Sequence, residues 1–265
     1  MAESPFQDLT AVYDLLVDWP KRLAREEPFY RRLFERIGAR RVADVACGTG
    51  RHAAMFHSWG LSVEGSDVDP KMIELARAKS RSGKGSDPLG LRGLTPLRTG
   101  GLRFVVRGFE EPIRAAEPFD VALCVGNSLA LAPDAATAAR AVREMLAAVR
   151  DGGAVVVHVL NLWRLPDGPC VWQKCLRAAL AQGDVLIAKG VHRSGTRGYV
   201  DLIVAPVDAP EQVHSESVPL LGIEAAELSR MAAEAGASDV QLFGGYDEKP
   251  YEPLESTDLI LVATR

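Results

Sequence analysis

The run Asp44-Val-Ala-Cys-Gly-Thr-Gly50 sets two glycines directly after a short apolar stretch, and Asp67 follows Gly48 by 19 positions. Glycine has no Cβ, so a ligand can come close to the backbone there. An acid at the end of the following strand can accept both hydroxyls of a ribose. Gly-x-Gly alone is a weak signal, and the third glycine of the usual pattern is replaced by Ala53. Combined with strand, turn, helix and second-strand acid, it points to an adenosine-type cofactor; a tight turn beside a surface Asp is the bland alternative.

Charge narrows the choice of cofactor. A dinucleotide lays pyrophosphate over the helix start and favours an anion-free turn, whereas S-adenosylmethionine carries a sulfonium and an ammonium that tolerate a nearby carboxylate. Asp44 supplies one. An Asp44 that merely hydrogen-bonds the loop is equally compatible with the pattern.

The elements that must hold these residues read as a βα alternation. Residues Tyr13 to Ile37 fit amphipathic helices interrupted near Pro20 and Pro28. Val42 to Ala46 is a short apolar strand, His52 to Trp59 a helix ended by Gly60, and Leu61 to Ser66 a second strand reaching Asp67. Asp69-Pro70 opens a helix. Leu102 to Val106 and Phe119 to Val125 are the third and fourth strands, Ala135 to Val149 is a helix closed by Asp151-Gly152-Gly153, and Ala154 to Leu160 is the fifth strand. Apolar strands alternating with helices predict a doubly wound, mostly parallel α/β sheet. Beyond Asn161, Val185 to Val191, Tyr199 to Val207 and Val213 to Leu220 read as antiparallel strands. A helix over Glu224 to Ala235 and strands over Val240 to Phe243 and Leu259 to Ala263 then complete a seven-stranded sheet. The expected organisation is one domain: a helical cover over 1–40, a cofactor core over 41–160, a small antiparallel sheet on the substrate side over 161–222, and a return to the core over 223–265.

With 265 residues, 47% of them hydrophobic and 25% charged, and a net charge of −4, the composition is that of a globular protein. It excludes wholesale disorder, collagen and coiled coil. No apolar run approaches a membrane span, and MAESPFQDLT lacks a signal layout, so a cytoplasmic location is expected. The basic residues between Arg77 and Arg107 sit among Gly, Ser and Pro and read as a solvated connection, which makes a nucleic-acid partner an unfavoured expectation. Cys47, Cys124, Cys170 and Cys175 form no C-x-x-C pair, and neither a disulfide framework nor a metal site is expected.

VADVACGTG followed by VEGSDVDPKMIELA resembles the first motifs of class I S-adenosylmethionine-dependent methyltransferases, and four further segments resemble the glycine and sarcosine N-methyltransferase branch: YDLLVDWPKRLAREEPFY, ACGTGRH, FDVALCVGNSLA and FGGYDEKPY. The resemblance implies methyl transfer from S-adenosylmethionine to a small molecule. It makes Arg22 a partner for the cofactor carboxylate, Tyr13 part of the amino-terminal cover, Ala46 and Gly48 backbone donors or acceptors to the methionyl part, and Asp67 the ribose acceptor. Met72 would pack on adenine, Gly108 and Phe109 would border it, and Val125 would lie beside the cofactor. Asn127 and Asn161, at the ends of the fourth and fifth strands, would face the acceptor. Taken singly, Arg22 also fits a solvated helix face, Met72 and Phe109 a core, Tyr13 a helix anchor and Asn127 a loop cap.

The departures from that branch concern the acceptor. The family's strand-five Arg-Asn reads Leu160-Asn161, its His in Asn-Ser-Phe-x-His reads Leu131, and an acceptor-side Tyr is replaced by an apolar residue near Val218. Leucine cannot make the paired hydrogen bonds a carboxylate needs. Two alternatives therefore stay open: a nucleic-acid methyltransferase, and a cofactor-binding protein without transfer activity. No residue is assigned as a general base.

Overall fold

The computed structural model describes residues 12, 14–81, 101–180 and 183–265. The contacts divide the chain into two units, one built from Trp19–Asn161 and Ile223–Arg265, the other from the stretch ending at Asp18 together with Leu162–Gly222. Of the expected cover over 1–40, the part from Trp19 on joins the first unit, and Val12 and Leu16 the second.

The first unit is an α/β sheet. Its strands are β1 (Arg41–Val45), β2 (Ser62–Asp67), β3 (Leu102–Val106), β4 (Phe119–Cys124), β5 (Val149–Leu160), β10 (Asp239–Phe243) and β11 (Asp258–Thr264), in the spatial order β10-β11-β5-β4-β1-β2-β3. The pairs from β5 to β3 are all parallel, while β11 runs antiparallel to both β5 and β10. Helices α1 (Trp19–Ile37), α2 (Arg51–Ser58), α3 (Pro70–Arg81), α4 (Ala135–Ala148) and α5 (Ala225–Glu234) accompany the strands. This is the Rossmann-like seven-stranded sheet the βα rhythm implies, and β1, β4 and β5 are buried along most of their length because helices cover both faces.

Two boundaries differ from expectation. Helix α1 runs through both prolines without interruption. Pro20 stands in the first turn, where its missing N–H would have no partner anyway. Pro28 does forfeit one bond, and the burial of Phe29, Tyr30, Leu33 and Phe34 directly after it offsets that loss. Strand β5 begins at Val149, so Asp151-Gly152-Gly153 lies inside it and does not separate it from α4. A register shift against β4 marks the irregularity, and a Cβ at Gly153 would come 2.7 Å from the Asp120 carbonyl. Asp134 caps α4 by accepting the Thr137 N–H at 2.7 Å.

The second unit carries a four-stranded antiparallel sheet in the order β6-β7-β8-β9, with β6 at Val171–Leu180, β7 at Gly183–Ser194, β8 at Arg197–Pro206 and β9 at His214–Leu221. Strand β6 was not expected from sequence. None of its side chains is fully buried, although Leu176, Ala178 and Leu180 alternate with exposed neighbours and pack against this unit's core. Val185, Ile187, Leu202 and Val204 form this unit's core with Val12, and Leu16 packs against it. Among the described residues no helix is long and apolar enough to cross a membrane.

Candidate active site

The strand order reverses between β1 and β4: β2 and β3 lie on one side, β5 and β11 on the other. Open α/β sheets bind ligands at the carboxyl ends of the strands flanking such a switch point. Here those ends carry Ala46 to Gly50 after β1, Asp67 and Val68 at the end of β2, Arg107 to Phe109 after β3, and Val125 to Ser128 after β4.

The turn after β1 is left-handed at three positions, Ala46 (φ 56°), Gly48 (φ 53°) and Gly50 (φ 76°). The two glycines adopt this freely, whereas Ala46 holds a conformation that costs an L-residue about 1 kcal/mol or more. Gly50 is also required sterically, since a Cβ there would lie 2.8 Å from the Phe104 ring. That contact seats the start of α2 closely on β2 and β3.

Asp67 faces this turn. Its Oδ2 accepts the Gly48 N–H at 2.9 Å and its Oδ1 the Asp69 N–H at 3.0 Å, so the carboxylate is fixed in plane with a lone pair left on each oxygen. Burial raises its pKa despite these bonds. Deeper in, Asp44 is 1% exposed, bonded to the Ala53 N–H, and pushed up to about 7, chiefly by burial and further by the charge of Asp67. Its Oδ2 is buried without a hydrogen-bond partner. An orphaned buried acceptor is costly to a fold and is the kind of group a bound cation satisfies.

Arg22 approaches from α1. Its guanidinium lies against Gly126, 3.0 Å from where a Cβ would sit, and its Nε donates to Glu26 at 2.8 Å. Glu26, fully buried, also accepts from His52 Nε2 at 2.6 Å. Burial pushes the Glu26 carboxyl up, but the His52 bond and the Arg22 charge outweigh it and bring it down to about 2. Burial lowers the pKa of the His52 ring against the pull of Glu26, so a neutral imidazole N–H donates to a carboxylate. The Trp19, Tyr30 and Phe56 rings enclose His52, with centroids 5.8, 6.0 and 6.1 Å away. Sequence reading gave Glu26 and His52 no role; the only signal was an Arg-x-x-x-Glu spacing on one helix face, common in solvated helices.

At the end of β4, Asn127 is left-handed (φ 73°). Its N–H donates to the His158 carbonyl at 3.1 Å and its Oδ1 accepts the Leu160 N–H at 2.9 Å, which ties β4 to β5. The loop-capping alternative for Asn127 is therefore realised in the geometry. Asn161 is 3% exposed and donates its amide to the Pro253 and Ser256 carbonyls, both at 2.8 Å. Both amide hydrogens are used within the fold. Gly126 N–H donates to His158 Nδ1 at 3.2 Å, which puts the ring proton on Nε2, 3.1 Å from Asp258 Oδ1. Burial pushes the thiols of Cys47 and Cys124 well up, so neither is a nucleophile.

At the outer end of the crevice, Met72 on α3 and Phe109 are half-buried, and Val68 is 69% exposed beside Asp67. Gly108 lies near Val68, 3.5 Å from a built Cβ, but its N–H is occupied by Glu111 Oε1 at 2.9 Å. Val125 is buried. Tyr13 lies outside the described residues, as do residues 82–100 of the basic connection. A hollow of about 640 Å³ lined by Arg25, Tyr246 and Asp258 lies at the β10–β11 connection.

Residues 42–153 match the family described as Methyltransferase domain. A glycine/sarcosine N-methyltransferase of Parasynechococcus marenigrum (strain WH8102) is 33% identical over 164 residues, covering 61% of this chain and 52% of the relative. The chain thus spans about half the length of that relative. The glycine N-methyltransferase of Oryctolagus cuniculus is 27% identical over 250 residues, covering 89% of this chain and 82% of the relative. Among solved structures, S-adenosylmethionine-bound CalS10, an amino pentose methyltransferase from Micromonospora echinaspora, superposes with a TM-score of 0.66 at 22% identity, covering 100% and 99% of the two chains. At that identity the likeness is one of fold.

Proposed function

We propose that the chain is a class I S-adenosylmethionine-dependent methyltransferase and that it methylates an amine nitrogen of a small molecule that carries no carboxylate beside the amine. The observation that carries the cofactor half is Asp67, held in plane by the Gly48 and Asp69 N–H groups at the switch point with lone pairs remaining for ribose hydroxyls. The amine half is supported by relatives that act on glycine, sarcosine and an amino pentose.

S-adenosylmethionine supplies a methyl group already activated by positive sulfur. The residues present suit it. The unpaired Oδ2 of Asp44 offers a buried anionic acceptor for the ammonium, and Ala46 and Gly48 present backbone to the methionyl part. Arg22 would pair with the methionyl carboxylate, its guanidinium held over Gly126 by Glu26, which His52 in turn bonds. Met72, the exposed Val68 and Phe109 would border the adenine, and Val125 would line the cofactor site. Gly108 contributes shape, because its N–H already serves Glu111. Positioning of this kind, with water excluded, accounts for most of the acceleration such a displacement needs.

On the acceptor side, Leu160 is half-buried and Leu131 is 52% exposed where the resembling branch has Arg and His. Both hydrogens of the Asn161 amide are used within the fold, so it has no donor to offer a carboxylate. An amine on a ring-bearing body fits such walls better than free glycine. The amine nitrogen attacks as a neutral lone pair, and its proton passes to solvent after transfer.

The test is a panel of amines with radiolabelled methyl donor, with glycine and sarcosine alongside amino sugars and cyclic amines, and calorimetry of the demethylated cofactor on wild type and Asp67→Ala. Transfer to ring-bearing amines with little to glycine supports the reading. Efficient turnover of glycine overturns the acceptor assignment, and cofactor binding without transfer to any amine overturns catalysis.

A further inference from the structure

The four-stranded sheet carries a cluster that methyl transfer does not use. Asp201 on β8 stands opposite Gly190 on β7 and opposite Ser217 on β9, and His192 is two positions along from Gly190. Alternation puts His192, Asp201 and Ser217 on one face of the sheet. Cys170, just ahead of β6, reaches over the same place: a Cβ at Gly190 would collide with its Sγ, so the thiol fills the gap the glycine leaves in the ladder. Asp201 Oδ2 lies 2.6 Å from His192 Nδ1, the Ser217 hydroxyl donates to Asp201 Oδ1, and the Tyr199 ring stacks on His192 at 4.8 Å. The three ligating atoms all lie within 4.8 Å of one another, and each residue is half-buried.

The geometry points to a divalent transition-metal site in this sheet, suited to zinc, with Cys170 Sγ, His192 Nδ1 and an Asp201 carboxylate oxygen as protein ligands and a solvent water in the fourth position. Sulfur, imidazole and carboxylate form a donor set zinc favours, and a tetrahedral ion with bonds of roughly 2.0–2.3 Å needs ligands about 3.5 Å apart. Cys170 and its partners are already at that scale, and the His192–Asp201 contact has only to open by about 1 Å. On binding, the thiol proton leaves to solvent and the imidazole proton moves to Nε2. Ser217 keeps the carboxylate aimed, the part an outer hydrogen bond plays around a metal. The ion would fasten the start of β6 to β7 and β8. Cysteine spacing could not reveal the group, because its members lie just ahead of β6, on β7 and on β8, and only the fold of the sheet brings them together.

The full chain, stripped with chelator, is titrated with cobalt(II) and then with zinc. Expected are one ion per chain, a thiolate-to-cobalt charge-transfer band bleached by zinc, and a higher unfolding temperature with zinc. Cys170→Ser loses the band, Cys175→Ser keeps it, and Ser217→Ala weakens affinity about 10-fold or more. Wild type that takes up no stoichiometric cobalt or zinc overturns the proposal. So does a band that survives Cys170→Ser or disappears with Cys175→Ser. The wild-type titration decides the matter even if a variant fails to fold.

Discussion

The buried carboxyl of Asp44 makes a sharp prediction about stability and pH. Burial carries its pKa from the ordinary 3.8 to about 7 in the folded chain. Between those two values the folded protein holds a proton that the unfolded chain has released, so stability falls as pH rises through this window and is level on either side. At about 1.4 kcal/mol per pH unit the loss amounts to about 4 kcal/mol, a large fraction of a typical domain's stability. Asp44→Asn keeps the shape and removes the titration. Urea unfolding of both proteins at half-unit steps from pH 4 to pH 8 should show the variant near wild type at pH 4 and about 4 kcal/mol more stable, relative to wild type, at pH 8. Parallel curves would refute the burial argument, because no other change separates the two proteins. Saturating cofactor should flatten the wild-type slope if its ammonium meets Asp44, and should leave Asp44→Asn bound more weakly.

Other perturbations follow from the same contacts. Asp67→Ala should weaken binding of the demethylated cofactor by roughly 10- to 150-fold in calorimetry, the equivalent of about 1.5–3 kcal/mol for hydrogen bonds to a charged acceptor. Glu26→Gln should cost about 3 kcal/mol in unfolding experiments, the lower end for a broken buried ion pair because Arg22 keeps some contact with solvent, and should weaken cofactor binding as well. Gly65→Ala puts a Cβ 2.6 Å from the Phe104 ring and should destabilise by about 1–3 kcal/mol in thermal unfolding. With the thiols held protonated and His52 and His158 bound to partners, kcat/KM should rise tenfold per pH unit up to the acceptor amine's own pKa; a plateau set by an enzyme group would contradict solvent as the proton's destination.

The parallel core was legible because its signals are local. The glycine turn, the acid ending β2 and the Asp-Pro opening α3 each bear their chemistry within a few residues. Strand β6 was missed because the face it packs on the core is only partly buried, through Leu176, Ala178 and Leu180, and the start of β5 because paired glycines signal a turn more often than a bulge. The polar residues near the acceptor were harder still. Whether Asn127 and Asn161 face a ligand or brace a loop depends on carbonyls as far away as Pro253 and Ser256, which no spacing encodes. Glu26 and His52 meet across 26 positions, through a packing of α1 on α2 that periodicity does not specify.

The pairing of Val12 and Leu16 with Val185, Ile187, Leu202 and Val204 has a consequence for synthesis on the ribosome. Chains elongate at about 5–20 residues per second and fold from the front, so those early apolar side chains wait on the order of 10–40 s before their neighbours emerge. Throughout that interval they are free to stick elsewhere, and a shortened chain beginning at Trp19 would transfer the hazard to the late-made strands, which would then present bare aliphatic surface. Expression trials of such a truncation should yield aggregate, and supplying the missing stretch as a separate peptide should restore yield.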